Sequence, residues 1–132
     1  LVGEIKNGLV VLAGYESSDN SEDISWMVQK IIKMRIFDDS ENKLNFSILD
    51  VNGEILLISQ FTLHASVKKG NRPSYIKAAD SKKAKQMYDQ TIREFETLLK
   101  RKISTGKFGA NMEVSLVNNG PVTITIDTKK KE

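Results

Sequence analysis

Apolar residues recur along this chain in two rhythms, as short continuous runs and as stripes at helical spacing. Residues 9–15 (Leu-Val-Val-Leu-Ala-Gly-Tyr) follow the turn dipeptide Asn7-Gly8. Their β-branched, apolar character predicts a strand buried on both faces, with residues 2–6 paired to it as a hairpin. A polar stretch at 17–20 leads to Asn20 and Ser21, either of which can cap a helix, and Glu22 and Asp23 suit the positive end of its dipole. Ile24, Met27, Val28, Ile31 and Met34 then recur at helical spacing, with Trp26 off the stripe at a rim or an interface. A short strand at 35–37, a turn at 38–43 and a strong central strand at 54–63 follow, the last entered through Asn52-Gly53. Residues 64–79 contain Gly70 and Pro73 and keep no period, so they read as a long loop, a feature more often functional than decorative. Ser81 can cap a second helix with the stripe Ala84, Met87, Tyr88, Ile92, Phe95 and Leu99. Residues 103–108, 112–117 and 122–126 are further strand candidates, and 127–132 a frayed tail. The pattern predicts one α/β domain over residues 1–132, two helices covering a mostly antiparallel sheet or partial barrel.

Composition narrows the chemistry. At 132 residues with 39% hydrophobic and 28% charged side chains, the chain suits one compact domain. No run approaches the roughly 18 apolar residues of a membrane-spanning helix. With no Cys there is no disulfide, thiolate metal site or Cys nucleophile, and the single His64 cannot make a multi-histidine metal site. No secretory signal pattern opens the chain, and the expected location is cytoplasmic. The net charge is only +3, but residues 1–63 carry 5 basic and 10 acidic side chains, and residues 64–107 carry 12 and 4. Between Glu54 and Asp80 there is no acid, while Lys68, Lys69, Arg72 and Lys77 fall there. That distribution can steer a polyanion, although on charge alone a solvated lysine-rich surface is the better reading.

The familiar nucleophile arrangements fail: His64 is the one imidazole, no Gly-x-Ser-x-Gly context surrounds a serine, and no glycine-rich phosphate loop is present. Two segments stand out. A period of two along 54–63 places Gln60 and Thr62 on one face with Leu56 and Ile58, so an amide and a hydroxyl project together just before the basic loop. In Asn119-Gly120-Pro121-Val122-Thr123 a proline sits directly before an alternating pattern, where a tight turn is the plain reading and the isomer of the Gly120-Pro121 bond is not set by sequence.

Together, Ser59-Gln60-Phe61-Thr62-Leu63 and Asn118-Asn119-Gly120-Pro121-Val122-Thr123 resemble the two signature motifs of the D-aminoacyl-tRNA deacylase family. Lys69-Gly70-Asn71-Arg72-Pro73, Thr105-Gly106-Lys107-Phe108-Gly109-Ala110 with Met112, and Arg35-Ile36-Phe37 extend the resemblance over nearly the whole chain. It implies an esterase that releases D-amino acids, and glycine mischarged on tRNA(Ala), from the tRNA 3′ end. It also implies a homodimer with the site at the interface, no cofactor or required metal, and neither DNA nor membrane as partner. Carried over, Ser59, Gln60, Phe61 and Thr62 line the pocket, with Gln60 and Thr62 as the catalytic pair. Lys68, Lys69 and Arg72 hold tRNA phosphates. Gly120 and Pro121, joined by a cis bond, form a chirality gate whose carbonyls reach into the partner's pocket. Thr62 can be read as a nucleophile, or the tRNA's own 2′-hydroxyl can assist with backbone amides placing the ester. The second reading is preferred, because no base is evident beside Thr62. A non-catalytic RNA-binding domain of the same fold is the alternative, and a small-ligand or dimerisation module a third. The chain departs from the family at Asn119, where an Asp is common, and it begins after the strand segment, bearing an Arg near the gate, with which the family usually opens.

Overall fold

The structure, a computed structural model, describes residues 1–131. Its elements are β1 (Gly8–Ala13), α1 (Ser21–Lys33), β2 (Phe37–Asp38), β3 (Leu44–Phe46), β4 (Glu54–Ser59), a 3₁₀ turn (Phe61–His64), α2 (Ser81–Leu99) and β5 (Ser104–Thr105). The main sheet has the order β1-β4-β5 with every pair parallel, and β2 and β3 form a separate antiparallel ladder. The sheets are therefore mixed and not mostly antiparallel, and the described strands do not close into a barrel.

The difference traces to Gly8. Instead of reversing the chain into a hairpin, Asn7-Gly8 delivers it straight into β1, where Gly8 lies flat against Glu54. A Cβ on Gly8 would stand 1.8 Å from the Glu54 carbonyl oxygen. With β4 as its neighbour and α1 in the crossover, β1 has to run parallel to it. Residues 1–7 join no ladder and pass beside β5, where the Ser104 hydroxyl donates to the Glu4 carbonyl at 3.0 Å. The strand expected at 103–108 shrinks to Ser104–Thr105. Those expected at 112–117 and 122–126 pair with nothing, and Leu116 and Val117 face solvent.

Both helices pack on one face of the sheet. α1 starts in a capping box: the Asn20 side chain accepts from the Glu22 and Asp23 amides, and Asp23 accepts from the Asn20 amide at 3.0 Å. α2 is capped by Asp80, not by Ser81, through the Lys83 amide at 2.9 Å. Ile24, Val28, Ile31 and Ile32 of α1 meet Met87, Tyr88, Phe95 and Leu99 of α2 over Ile55 and Leu57 of β4. β4, not β1, is the strand buried on both faces; Leu12 of β1 is 47% exposed. Two hydroxyls fasten the layers. Tyr88 donates to the Leu57 carbonyl at 2.8 Å. Thr91 gives its proton to the Met87 carbonyl at 2.7 Å, so Tyr15 is the donor in the 2.8 Å contact with Thr91 Oγ1. Burial pushes the Tyr15 and Tyr88 hydroxyls above the ordinary tyrosine range.

The chain end is not frayed through Lys131. Lys129 Nζ lies 3.0 Å from Asp23 and 3.6 Å from Asp19, and Lys131 sits over the Trp26 ring at 4.7 Å. Among the described residues no helix is long and apolar enough to cross a membrane.

Candidate active site

β1 and β4 run in parallel and end side by side at Ala13 and Ser59. Both chains thus leave the sheet at one edge, the edge where open parallel sheets gather ligand-binding groups. β4 does not continue to Leu63 as its alternation suggests. The Gln60 amide makes a last bond to the Ala13 carbonyl at 2.7 Å. The Leu63 and Ala65 amides then fold back to the carbonyls of Gln60 and Thr62, at 3.3 and 3.1 Å. The cause is the loss of a neighbour, since β1 has also ended, at Gly14. A Cβ there would lie 2.8 Å from the Gln60 carbonyl oxygen and 3.1 Å from the His64 ring, so only glycine lets the turn seat against the exit of β1.

Gln60 and Thr62 do come together, by turn geometry instead of strand alternation: Gln60 Nε2 donates to Thr62 Oγ1. Ser59 is half-buried at the strand end. Phe61 is exposed on its outer side and meets Tyr75 edge-on, with ring centroids 5.0 Å apart. The turn has no side-chain cap, and the Phe61 and Thr62 amides have no acceptor among the described residues. His64 Nδ1 is 3.4 Å from the Glu16 carboxylate, and no hydrogen bond joins it to Thr62. Among the described residues, Thr62 therefore has no base at its hydroxyl.

The basic loop is pinned at both ends. Ser66 and Ser74 exchange backbone hydrogen bonds at 2.7 and 2.9 Å, closing residues 67–73 into a tongue that carries Lys68, Lys69 and Arg72 in solvent. Its return is tied to the exit of β1 by the Glu16–Ala78 bridge and by the Ala79 amide on the Tyr15 carbonyl at 2.8 Å. Sequence reading missed Gly14 and Glu16, which lie far from the signature motif in the chain and meet it through the parallel β1–β4 pairing, and Tyr75, which the Ser66–Ser74 closure returns to Phe61.

Gly120 and Pro121 are not brought to this turn. Residues 118–121 are exposed, no hydrogen bond or ring contact joins 118–123 to 59–64, and Asn118 Nδ2 instead donates to Thr123 Oγ1 at 2.9 Å. Gly120 has φ +129°, and the Gly120–Pro121 bond is trans, contrary to the cis bond the resemblance implies. A Cβ on Gly120 would meet only Val122, at 3.9 Å, so among the described residues nothing packs there to hold the less favourable isomer. Among the described residues no group of three or more His, Asp or Glu is placed to hold a metal ion.

The D-Tyr-tRNA(Tyr) deacylase family matches residues 1–127. The chain is 54% identical over 132 residues to the D-aminoacyl-tRNA deacylase of Flavobacterium psychrophilum, spanning all of this chain and 88% of that one. It is 50% identical over 129 residues to the D-aminoacyl-tRNA deacylase of Thermosipho africanus, covering 98% of this chain and 86% of the relative. Among solved structures it is similar to a c-Myc DNA unwinding element binding protein, with TM-score 0.85 and 38% identity over 91% of this chain and 81% of that one. A probable eukaryotic D-amino acid tRNA deacylase shares the fold at TM-score 0.69 and 16% identity, over 81% of this chain and 77% of its own.

Proposed function

The chain belongs to the D-Tyr-tRNA(Tyr) deacylase family, and from that premise we propose how its site carries out the reaction. The activity is hydrolysis of the ester that joins a D-amino acid to the 3′ end of tRNA, releasing both. The substrate class extends to glycyl-tRNA(Ala), and the reaction takes place in the cytoplasm with its tRNA.

An aminoacyl ester is already activated, so fixed donors aimed at the developing oxyanion can carry much of the catalysis without a titrating side chain. The unpaired amides of Phe61 and Thr62, beside the Thr62 hydroxyl, are the observation that supports this reading. As water adds to the ester carbon, these amides receive the charge on the carbonyl oxygen, each contributing about 3 kcal/mol. The ribose 2′-hydroxyl assists the water. Collapse of the intermediate expels the ribose 3′-oxygen, which takes up the proton. Gln60 orients the Thr62 hydroxyl, while Ser59 and Phe61 wall the pocket. Lys68, Lys69 and Arg72 hold the tRNA by charge, an attraction that weakens steeply with salt.

Gly120 and Pro121 act from a second copy of the chain in a homodimer. Two features support this: the segment is exposed and apart from its own turn, and Leu116, Val117 and Ile124 beside it present apolar surface at 56%, 91% and 50% exposure. A rigid backbone gate rejects by the position of the side chain at the α-carbon, so one gate admits many D-residues.

The test compares D-tyrosyl esters on tRNA ending in adenosine and in 2′-deoxyadenosine. A loss of 100-fold or more with the deoxy substrate is expected. Equal rates would return the chemistry to a protein group, with Thr62 first in line.

A further inference from the structure

Directly beside the signature turn lies an open cleft of about 470 Å³, lined by Glu16, His64, Ser66, Lys68, Lys77 and Asp127. Each of its two carboxylates has one partner within the chain. Glu16 faces His64 Nδ1 at 3.4 Å, and Asp127 accepts the Lys129 amide at 2.9 Å. Its two ammonium groups have none: Lys68 and Lys77 have neither a carboxylate within 4.0 Å nor a hydrogen-bond acceptor among the described residues. The groups left without a partner in the cleft are two cations and the Ser66 hydroxyl, donors for an anion that enters beside the two carboxylates.

Both lysines also stand on anchored backbone. Lys68 follows the Ser66–Ser74 closure, and Lys77 precedes Ala78, which bridges to Glu16. Lys69 and Arg72 do not line the cleft. The anion is one that has to pass this point. An RNA strand whose terminal adenosine is held at Phe61 and Thr62 leaves the site carrying one phosphate per nucleotide, and the cleft shares Leu63 and His64 with that turn.

We propose that this cleft seats a phosphodiester of the single-stranded tRNA 3′ end, with Lys68 and Lys77 as its two phosphate ligands and Ser66 as a third donor. The assignment rests on the deacylase reading above. It separates the basic loop into two parts: Lys68 joins Lys77 in a defined subsite, and Lys69 and Arg72 supply long-range attraction from the tongue.

The test measures binding of the trinucleotide CCA and of inorganic phosphate to the full chain and to Lys68→Ala, Lys77→Ala, Lys77→Arg and, as a control outside the cleft where the lysine lies 4.0 Å from Glu96, Lys102→Ala. Trinucleotide affinity is expected to fall about fivefold or more in Lys68→Ala and in Lys77→Ala, and to be kept in Lys77→Arg. The slope of log affinity against log salt should shrink by roughly 0.7 for each lost contact. Lys102→Ala is expected to leave trinucleotide affinity within twofold. Trinucleotide binding unchanged in Lys77→Ala, or weakened as much by Lys102→Ala, overturns the assignment. So does inorganic phosphate binding as tightly as the trinucleotide, which would make the cleft a free-anion site. A parent that deacylates while Lys77→Ala binds normally refutes the subsite alone; a parent that binds CCA through Lys77 without hydrolysing D-aminoacyl-tRNA refutes the catalytic reading alone.

Discussion

Gln60 donates a side-chain hydrogen bond to the hydroxyl oxygen of Thr62. The amide can orient that oxygen but cannot take its proton, and His64, the one imidazole in the chain, is turned to Glu16. In the proposed mechanism the backbone amide of Thr62, and not its hydroxyl, is the group that acts. Thr62→Ala keeps this amide and is expected to lose no more than about tenfold in kcat, measured by single-turnover hydrolysis of D-tyrosyl-tRNA. A loss of 1,000-fold or more would identify Thr62 as the nucleophile.

The gate assignment makes a separate prediction. Replacing Pro121 removes the ring that stiffens the segment, and Pro121→Ala is expected to raise the rate on L-tyrosyl-tRNA by tenfold or more while the D-rate changes less. A variant that rejects the L-ester as well as the parent does would remove Gly120 and Pro121 from the gate.

Tyr15 and Tyr88 link the fold to alkaline pH. Burial holds their protons to higher pH in the folded chain than in the unfolded one. The folded state then binds more protons above about pH 10, so stability is intact below that value and falls as pH rises beyond it. Denaturant midpoints between pH 8 and 11 should show this fall, and Tyr88→Phe should reduce it. A fall of equal size in the variant would place the titration elsewhere.

The C-terminal clasp responds to acid. Burial opposes ionisation of Asp23, but hydrogen bonds from the Asn20 amide and Lys129 outweigh it and hold the carboxyl below its usual range. The contribution is complete above the ordinary aspartate value of about 4 and is lost as pH falls through the lower folded value. Trp26, stacked by Lys131, is the one tryptophan and reports the event. Its fluorescence is expected to shift on acidification, and Lys129→Ala to show the shifted signal already at neutral pH. A signal in Lys129→Ala identical to the parent's at every pH would rule the clasp out.

Local signals were legible in much of the sequence, although the cap of α2 is Asp80 and not Ser81. Asn20 is one of two legible cap candidates before the acidic first turn of α1, and the stripe through Met87, Tyr88, Phe95 and Leu99 is a buried helix face. The signature residues Gln60 and Thr62 were legible as neighbours, yet for the wrong reason. Strand alternation was expected to align them, whereas the 3₁₀ turn does, because β1 and β4 end together. What stayed hidden depends on partners distant in the chain. Nothing local to residues 9–13 says that Gly8 will lie against Glu54 and make the sheet parallel. Nothing local to Lys129 says that Asp19 and Asp23 await it. Thr91 was passed over because a hydroxyl breaks an apolar stripe, although Tyr15 makes it part of the core.

The central claim, stereospecific ester hydrolysis, is tested most directly by deacylation of matched D- and L-tyrosyl-tRNA at low salt, each corrected for its rate in buffer. Rapid loss of the D-ester with the L-ester spared is the predicted result. Neither ester cleaved faster than in buffer while the tRNA still binds would contradict it and leave an RNA-binding protein with the fold of a deacylase.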